Sequence, residues 1–175
     1  MASQLAASLA RSGRRTLLID GDLRNPAAHR VFDLPQEPGL CELLRGEVDR
    51  ESTIQPTRTA NLWLLPAGRC DVRSVQALAT DLLNQIATAL RAQFEFIVID
   101  SAPVLSVADP LLMGQHVDAA VLSVLRDHSK MPKVYEASER LKSVGITVLG
   151  SVVNGVRDNH HRRGASLNYA DTAEA

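Results

Sequence analysis

The 175-residue sequence has few aromatic residues, which make up 3% of it, and only two cysteines. Its core must therefore be built from Leu, Ile, Val and Ala, and a scaffold stapled by several disulfides is excluded. Cys41 and Cys70 form no CxxC motif and have no ligand-spaced histidine nearby, so we expect two incidental, reduced cysteines. No apolar run reaches the roughly eighteen residues that span a bilayer.

An excess of charge of one sign is also missing. The 19 Lys and Arg residues against 20 Asp and Glu residues leave a formal net charge of −1. A general nucleic-acid-binding protein carries a basic surplus, so no nucleic-acid partner is expected.

The opening MASQLAASLARSG lacks the basic start and continuous apolar stretch of a secretory signal. Leu5 and Leu9 lie one turn apart, which predicts an amphipathic helix with an apolar leucine face, closed by Gly13.

Further along the chain, apolar residues alternate between the periods of strands and helices. Short aliphatic runs separated by helical patterns indicate strands that are buried on both faces, as in a mainly parallel sheet. We therefore predict an α/β fold with helices on both faces of the sheet. The predicted strands are 15–20, 61–65, 94–100, 118–126 and 146–154.

The clearest helical pattern covers 72–92, where apolar residues recur every three or four positions. A short helix is predicted at 39–46. A third helix is expected to begin at Ser129 as its N-cap, to have Pro132 in its first turn and to end at Gly145.

Charged or amide residues end four of the predicted strands. In open α/β sheets ligands bind beyond the carboxyl ends of the strands, so these side chains predict a polar site at one edge of the sheet. Three of them are carboxylates, which repel one another unless a cation lies among them. Mg²⁺ with a phosphorylated ligand satisfies that requirement. The residues are Asp20 and Asp22, then Asp100, then Arg126, then Asn154.

The segment FIVIDSAP has the form of a Walker B strand, in which apolar residues lead to a metal-associated Asp. The segment RRTLLIDGDLRNP resembles the Walker A′ motif of bacterial tyrosine kinases (BY-kinases), which belong to the deviant Walker, MinD/ParA-like class of P-loop ATPases. Further segments resemble the same family in the same order, from residue 1 to about 157. They are PGLCELLRGE, NLWLLPAG, FEFIVIDSAPVLSVADPLLM, VDAAVLSVLRDHSK and LKSVGITVLGSVVNGV.

The resemblance implies an ATP- and Mg²⁺-dependent protein-tyrosine kinase domain that regulates capsule and exopolysaccharide synthesis and export. The partner it implies is a transmembrane polysaccharide co-polymerase or the cytoplasmic segment of one. The chain would then lie in the cytoplasm, at the inner face of the plasma membrane, through that partner. A homo-oligomer is left open, because the family's upstream oligomerisation helix is not in this sequence.

The resemblance also implies roles for individual residues. Asp20 and Asp22 would be the A′ carboxylates, near the attacking hydroxyl and the metal. Asp22 and Asp100 would hold Mg²⁺, with Asp100 acting through water. Two arginines would neutralise phosphate charge, and an asparagine would lie near the adenine ring. These nucleotide-binding residues would be Arg24, Arg126 and Asn154.

The phosphate-binding loop GxxxxGK[ST] is not found in the sequence, and no lysine occurs before Lys130. In the family this loop runs directly into a helix similar to the opening residues. We therefore expect a fold that lacks the loop and its strand, with either unpaired backbone groups or a gap beside the strands ending at Asp20 and Asp100. A misassigned start, a truncated gene or completion by a separate chain would each explain this. Weak or absent ATP binding and phosphoryl transfer are expected.

Apolar content falls near the C-terminus, so we expect one domain over 1–157 and a flexible polar tail over 158–175. BY-kinases usually end in a tyrosine-rich cluster that accepts phosphate. This tail holds one tyrosine, Tyr169, which is either a lone autophosphorylation site or incidental. Tyr135 has helical spacing and is expected to be structural.

Two other functions stay open. One is a MinD/ParA-like ATPase switch, although such proteins often carry a C-terminal amphipathic membrane helix that this polar tail does not resemble. The other is a non-catalytic partner that docks on a polysaccharide co-polymerase. Asp109 is expected to cap the helix that follows it, and the alternative is that it approaches the site.

Overall fold

The computed structural model describes residues 1–156 of the chain. Strands and helices alternate along most of its length, as an α/β fold requires. The strands are β1 (Thr16–Gly21), β2 (Gln55–Pro56), β3 (Leu62–Leu65), β4 (Phe96–Ser101), β5 (Ala120–Leu125) and β6 (Val148–Asn154). The helices are α1 (Ala2–Arg11), α2 (Ala28–Phe32), α3 (Leu40–Leu44), α4 (Arg50–Thr53), α5 (Val72–Ala77), α6 (Asp81–Arg91), α7 (Asp109–Gly114) and α8 (Met131–Ser143).

The strands form a four-stranded sheet in the order β2-β3-β1-β4 and a two-stranded sheet of β5 and β6. All pairs are parallel except the one between β2 and β3. The predicted α/β class with a mainly parallel sheet is therefore confirmed. The expected loss of pairing beside the strand that ends at Asp20 is wrong, because β1 pairs with β3 on one edge and β4 on the other. Within residues 1–156, β4 pairs along one edge only and β5 and β6 form a separate sheet, so the unpaired edge expected beside the strand that ends at Asp100 is present.

Successive residues of β1 point to opposite faces of the sheet and enter two different cores. Leu17 and Ile19 pack into a cluster with residues of α3 and α6. Leu18 packs on the other face against the alanines of α1. Every residue of β1 is buried, which explains its unbroken run of aliphatic side chains.

Helix α1 forms where it was predicted, but its buried face is different. Ala2, Ala6 and Ala10 are buried, whereas Leu5 is 45% exposed. The alanines face β1 and β4 because only small side chains allow a helix to lie this close to a sheet. Gly13 follows the helix with φ of +85°, as its predicted closing role requires.

Two other helix predictions need correction. The pattern over 72–92 is two helices, because Thr80 adopts an extended conformation (φ −100°, ψ 166°) and starts α6 anew. The last predicted helix begins one residue later than expected, with Lys130 as its N-cap. The hydroxyl of Ser129 accepts a hydrogen bond from the amide of Leu125 instead of capping α8. Tyr135 is 69% exposed, so its expected structural role is wrong.

The segment 39–45 is interlocked with the segment 66–71 that follows β3. The amide of Leu40 donates to Pro66 O (2.8 Å), and the amide of Cys41 donates to Ala67 O (2.9 Å). The buried Glu42 carboxylate accepts from the amides of Gly39 and Arg69, each at 2.8 Å. The PGLCELL and LLPAG segments thus form one structural unit.

A disulfide joins Cys41 to Cys70 across these two segments. The expectation of two incidental, reduced cysteines is therefore wrong. Their separation of 29 residues concealed the pairing in the sequence.

Among the residues described, no helix has both the length and the apolar character needed to cross a bilayer.

Candidate functional site

Asp20 and Asp100 occupy paired positions at the carboxyl ends of the neighbouring strands β1 and β4. Asp20 is buried, with 2% of its surface exposed, whereas Asp100 is exposed. The next pair in the register is Gly21 with Ser101. A Cβ on Gly21 would lie 2.9 Å from Asp100 O and from the sulfur of Met113, so only glycine fits between the two aspartates of the DGD sequence.

The buried carboxylate of Asp20 is held by the start of α2. Its Oδ2 accepts hydrogen bonds from the amides of Ala27 (2.9 Å) and Ala28 (2.8 Å). Burial raises the pKa of Asp20 and is the largest influence on it. The two amides lower this pKa, and the charge of Asp100 raises it again. This carboxylate is fixed in position and is easier to protonate than a free aspartic acid.

Asp22 folds the chain back directly after β1. Its Oδ1 accepts from the amides of Arg24 (3.2 Å) and Asn25 (3.0 Å), which makes a local turn of the Asx type. Its Oδ2 has no hydrogen-bond partner within residues 1–156, and the side chain is half-buried. One oxygen of Asp22 therefore orients the carboxylate, and the other is free to bind a ligand.

Asp100 also has a raised pKa. Desolvation is its largest cause, because protein atoms crowd this carboxylate on one side although solvent reaches it on the other. The positive charge of the Met1 amino group lowers the pKa, and the nearby Asp22 raises it. The charge of Asp100 thus acts on Asp20, and the charge of Asp22 acts on Asp100, so the structure brings these three carboxylates to the same edge of the sheet.

The start of α1 lies beside this cluster. The first intrahelical hydrogen bonds run from the amides of Gln4 and Leu5 to Met1 O, so the amides before them are outside the helical ladder. A helix start of this kind carries a partial positive charge that favours anions. Within residues 1–156, carboxylates lie on one side and amides without a hydrogen-bond partner on the other, which suit a cation and a phosphate group, respectively.

Arg24 forms a bidentate ion pair with Asp109, the first residue of α7. The Nε–Oδ2 distance is 3.1 Å, and the Nη2–Oδ1 distance is 3.4 Å. The Asp109 side chain is 3% exposed, while that of Arg24 is 53% exposed. The expectation that Asp109 caps α7 is wrong, because it makes no capping hydrogen bond and pairs with arginine instead. Asp109 lies inside the apolar run VLSVADPLLM, and a charged residue in such a run is usually buried and paired with an opposite charge. This feature of the sequence could have predicted the ion pair.

The predicted nucleotide-binding residues Arg126 and Asn154 lie on the second sheet, at the ends of β5 and β6. The Arg126 amide donates to Asn154 O (2.9 Å), and the Asn154 amide group donates to Ser123 Oγ (3.0 Å). The Arg126 guanidinium is 3.5 Å from the Asp127 carboxylate. Strand pairing therefore brings these two residues together. Tyr169, the predicted phosphate acceptor, lies outside the described residues.

The donor set decides which metal the site fits. Within residues 1–156, no three His, Cys, Asp or Glu side chains converge tightly enough to enclose an ion. Mg²⁺ does not need such a cage, because it commonly uses one or two carboxylates and takes its other ligands from water and phosphate oxygens. The free Oδ2 of Asp22 and the exposed Asp100 fit that role, while Asp20 is committed to two amides.

A mainly parallel sheet with an aspartate pair at the carboxyl ends of neighbouring strands is typical of nucleotide-binding α/β domains, among them the P-loop ATPase type. Comparison with known proteins agrees. The family described as an AAA domain matches residues 1–124. A putative tyrosine-protein kinase, CapB of Staphylococcus aureus, is 32% identical over 154 residues, which cover 88% of this chain and 68% of CapB.

Among solved structures, the kinase domain of the Escherichia coli tyrosine kinase ETK superposes with a TM-score of 0.85 at 26% identity. The match covers 99% of this chain and 64% of that structure. The septum site-determining protein MinD of Pyrococcus horikoshii, solved with Mg-ADP, shares the fold with a TM-score of 0.71 at 22% identity. It covers 87% of this chain and 62% of that one. The chain belongs to the BY-kinase family of deviant Walker ATPase domains.

Proposed function

We propose that this chain is an ATP- and Mg²⁺-dependent protein-tyrosine kinase domain that regulates capsule or exopolysaccharide synthesis. The observation that carries the proposal is the register of Asp20 with Asp100, which gathers three carboxylates beside the start of α1. Membership of the BY-kinase family supports it. Phosphoryl transfer depends mainly on positioning and charge stabilisation. The carboxylates would provide the positioning, and Mg²⁺ held by them would stabilise the phosphate charge.

The geometry supports a division of roles among the three carboxylates. Asp22 and Asp100 would hold Mg²⁺, which neutralises phosphate charge when bound. Asp20 has a raised pKa and a fixed orientation, so it is suited to receive the proton of an attacking tyrosine hydroxyl. In the transfer, the hydroxyl oxygen bonds to the γ-phosphorus, its proton passes to the carboxylate, and ADP leaves.

The proposal also assigns roles to residues outside the carboxylate cluster. Arg24 is held in place by Asp109 and would bind phosphate with its remaining N–H donors. Arg126 and Asn154, joined at the end of the second sheet, would bind phosphate and adenine. Tyr169 would be the phosphate acceptor.

We propose that the 175-residue chain alone binds ATP weakly, because it contains no GxxxxGK[ST] loop to cradle the phosphates. The proposed partner is a transmembrane polysaccharide co-polymerase, or its cytoplasmic segment, which would recruit the chain to the inner face of the membrane. Assembly with further copies of the chain is part of the same proposal.

The test is to incubate the chain with Mg·ATP at a concentration high enough to offset the weak binding, and to measure the low level of phosphotyrosine expected by mass spectrometry. Asp100→Asn should abolish the modification. Asp33→Asn, which alters an exposed ion pair with Arg58, should leave it unchanged. Tyr169→Phe should remove the modified peptide. Phosphotyrosine that persists in Asp100→Asn contradicts the proposal.

The same incubation and a binding assay separate the alternatives. Release of phosphate from ATP without any phosphotyrosine would favour an ATPase switch like MinD, which shares the fold of this chain and was solved with Mg-ADP. Binding of a co-polymerase cytoplasmic peptide without any nucleotide binding would favour a docking partner.

A further inference from the structure

We propose that Cys41 and Cys70 form a reversible thiol–disulfide site that controls how firmly the segment 66–71 is attached to α3. This site involves neither the carboxylate cluster nor nucleotide, so it does not depend on the proposed kinase activity.

The two sulfurs meet because the backbone already aligns their segments. The Cα atoms of Cys41 and Cys70 are 5.2 Å apart, within the range that a disulfide spans. The flanking hydrogen bonds from Leu40 to Pro66 and from Cys41 to Ala67 hold the segments together without the covalent bond. The Glu42 carboxylate adds its bond to the Arg69 amide. The bond can therefore open or close without unfolding of the surrounding chain.

The two cysteines differ in their access to solvent. Cys41 is fully buried in the main core, whereas Cys70 is partly exposed at the end of its loop. Thiol–disulfide exchange requires a thiolate to reach one of the sulfurs. Attack should therefore occur at the Cys70 sulfur, with the Cys41 thiolate as the leaving group.

The chemistry is balanced by a dithiol reductant such as dithiothreitol. One reagent thiolate bonds to the Cys70 sulfur, and the bond between the protein sulfurs breaks, releasing the Cys41 thiolate. The second reagent thiolate then attacks its own bound sulfur, which releases the Cys70 thiolate and a cyclic disulfide. The protein disulfide is reduced by two electrons, and the dithiol is oxidised by two. Glutathione disulfide reverses the change and yields two glutathione molecules.

The location gives the bond a structural consequence. Cys41 belongs to the long connection that leaves β1 after Asp22, and Cys70 belongs to the loop that leaves β3, the neighbour of β1 in the sheet. The bond therefore closes a loop with a sequence separation of 29. Restricting a loop of that length in the unfolded chain stabilises the folded form. Reduction should loosen α3 and the segment 66–71 and leave the two sheets intact.

The experiment uses the full 175-residue chain, equilibrated with either glutathione disulfide or dithiothreitol and then freed of reagent. Native maleimide labelling should find no thiol in the oxidised chain. In the reduced chain it should label Cys70 faster than Cys41. The melting temperature should be about 10 °C higher after oxidation. Hydrogen exchange should accelerate on reduction at the amides of 40–45 and 67–71.

Cys70→Ser is the matched control, because it removes the bond and leaves the buried Cys41 in place. Its melting temperature should equal that of the reduced chain and should not respond to either reagent. Wild-type chain that keeps two reactive thiols after glutathione disulfide treatment would overturn the proposal. So would equal melting temperatures of the oxidised and reduced wild-type chain, a comparison that does not depend on any variant folding.

Discussion

Asp20 and Asp100 face each other in register across the carboxyl ends of β1 and β4, one carboxylate buried and the other exposed. Desolvation raises the pKa of both carboxyl groups, and the charge of Asp100 raises the pKa of Asp20 further. Two carboxylates that destabilise the free protein and attract a cation are typical of a functional site.

The raised pKa of Asp20 has a consequence for stability. The folded state holds this proton more tightly than the unfolded state, in which the pKa is close to its ordinary value of 3.8. Stability therefore falls as pH rises from 3.8 through the folded-state pKa, and the loss is complete above it. Asp20→Asn should remove that loss, because its amide oxygen can still accept from Ala27 and Ala28.

Thermal melts of Asp20→Asn and the wild-type chain should therefore differ at pH 7, with the variant melting higher. The difference should shrink as the pH is lowered toward 3.8. Asp33→Asn, at an 81% exposed side chain, is the control and should show no such difference. A variant that melts below the wild-type chain at pH 7 would show that the buried charge stabilises the fold.

The Arg24–Asp109 pair predicts an asymmetric result. Arg24→Ala leaves the buried Asp109 carboxylate without its partner and should cost about 2 kcal/mol in the free energy of unfolding. Asp109→Asn should cost less, because the half-exposed guanidinium can be solvated by water. Urea unfolding measures both. Arg58→Ala, which breaks a surface pair with Asp33, should cost under about 1 kcal/mol. Equal costs for Arg24→Ala and Arg58→Ala would contradict this account.

Substitutions at two glycines with positive φ test the hydrogen-bonded contact between the segments 39–45 and 66–71. Gly46 has φ of +69° and open space where a Cβ would lie, whereas Gly68 has φ of +76° and the Glu42 carboxylate there. Gly46→Ala should cost about 1 kcal/mol from backbone strain alone. Gly68→Ala should cost about 3 kcal/mol, because Glu42 must also move and lose its amide partners. Denaturant unfolding that gave equal costs would show that Glu42 is not held as described.

Much of this fold was predictable from the sequence, because solid aliphatic runs and helical periods each have a local cause. The strand that ends at Asp20 and the short helix of PGLCELL follow from such patterns. The buried face of α1 was not predictable. Leucine is more apolar than alanine, which favours burial of the leucine face. However, the helix lies so close to the sheet that only the small side chains of Ala2, Ala6 and Ala10 fit between them. That distance is set by tertiary packing, which no local pattern records.

The candidate site shows the same division. Strand ends predicted the carboxylate cluster, because parallel strands deliver their carboxyl ends to one edge. The partner of Arg24 was missed, since Asp109 is 85 residues away and has a good local alternative as a helix cap. The Cys41–Cys70 bond was missed because two cysteines without a shared motif give no spacing to interpret. Long-range pairs of this kind become visible only when the chain is folded.

The most direct test of the central claim is calorimetric titration of the full chain with ATP, with and without Mg²⁺. The account predicts weak binding that requires Mg²⁺, is lost in Asp22→Asn and Asp100→Asn, and is unchanged in Asp33→Asn. Binding of equal strength without Mg²⁺, or in the two aspartate variants, would contradict a role for these carboxylates in holding Mg·ATP.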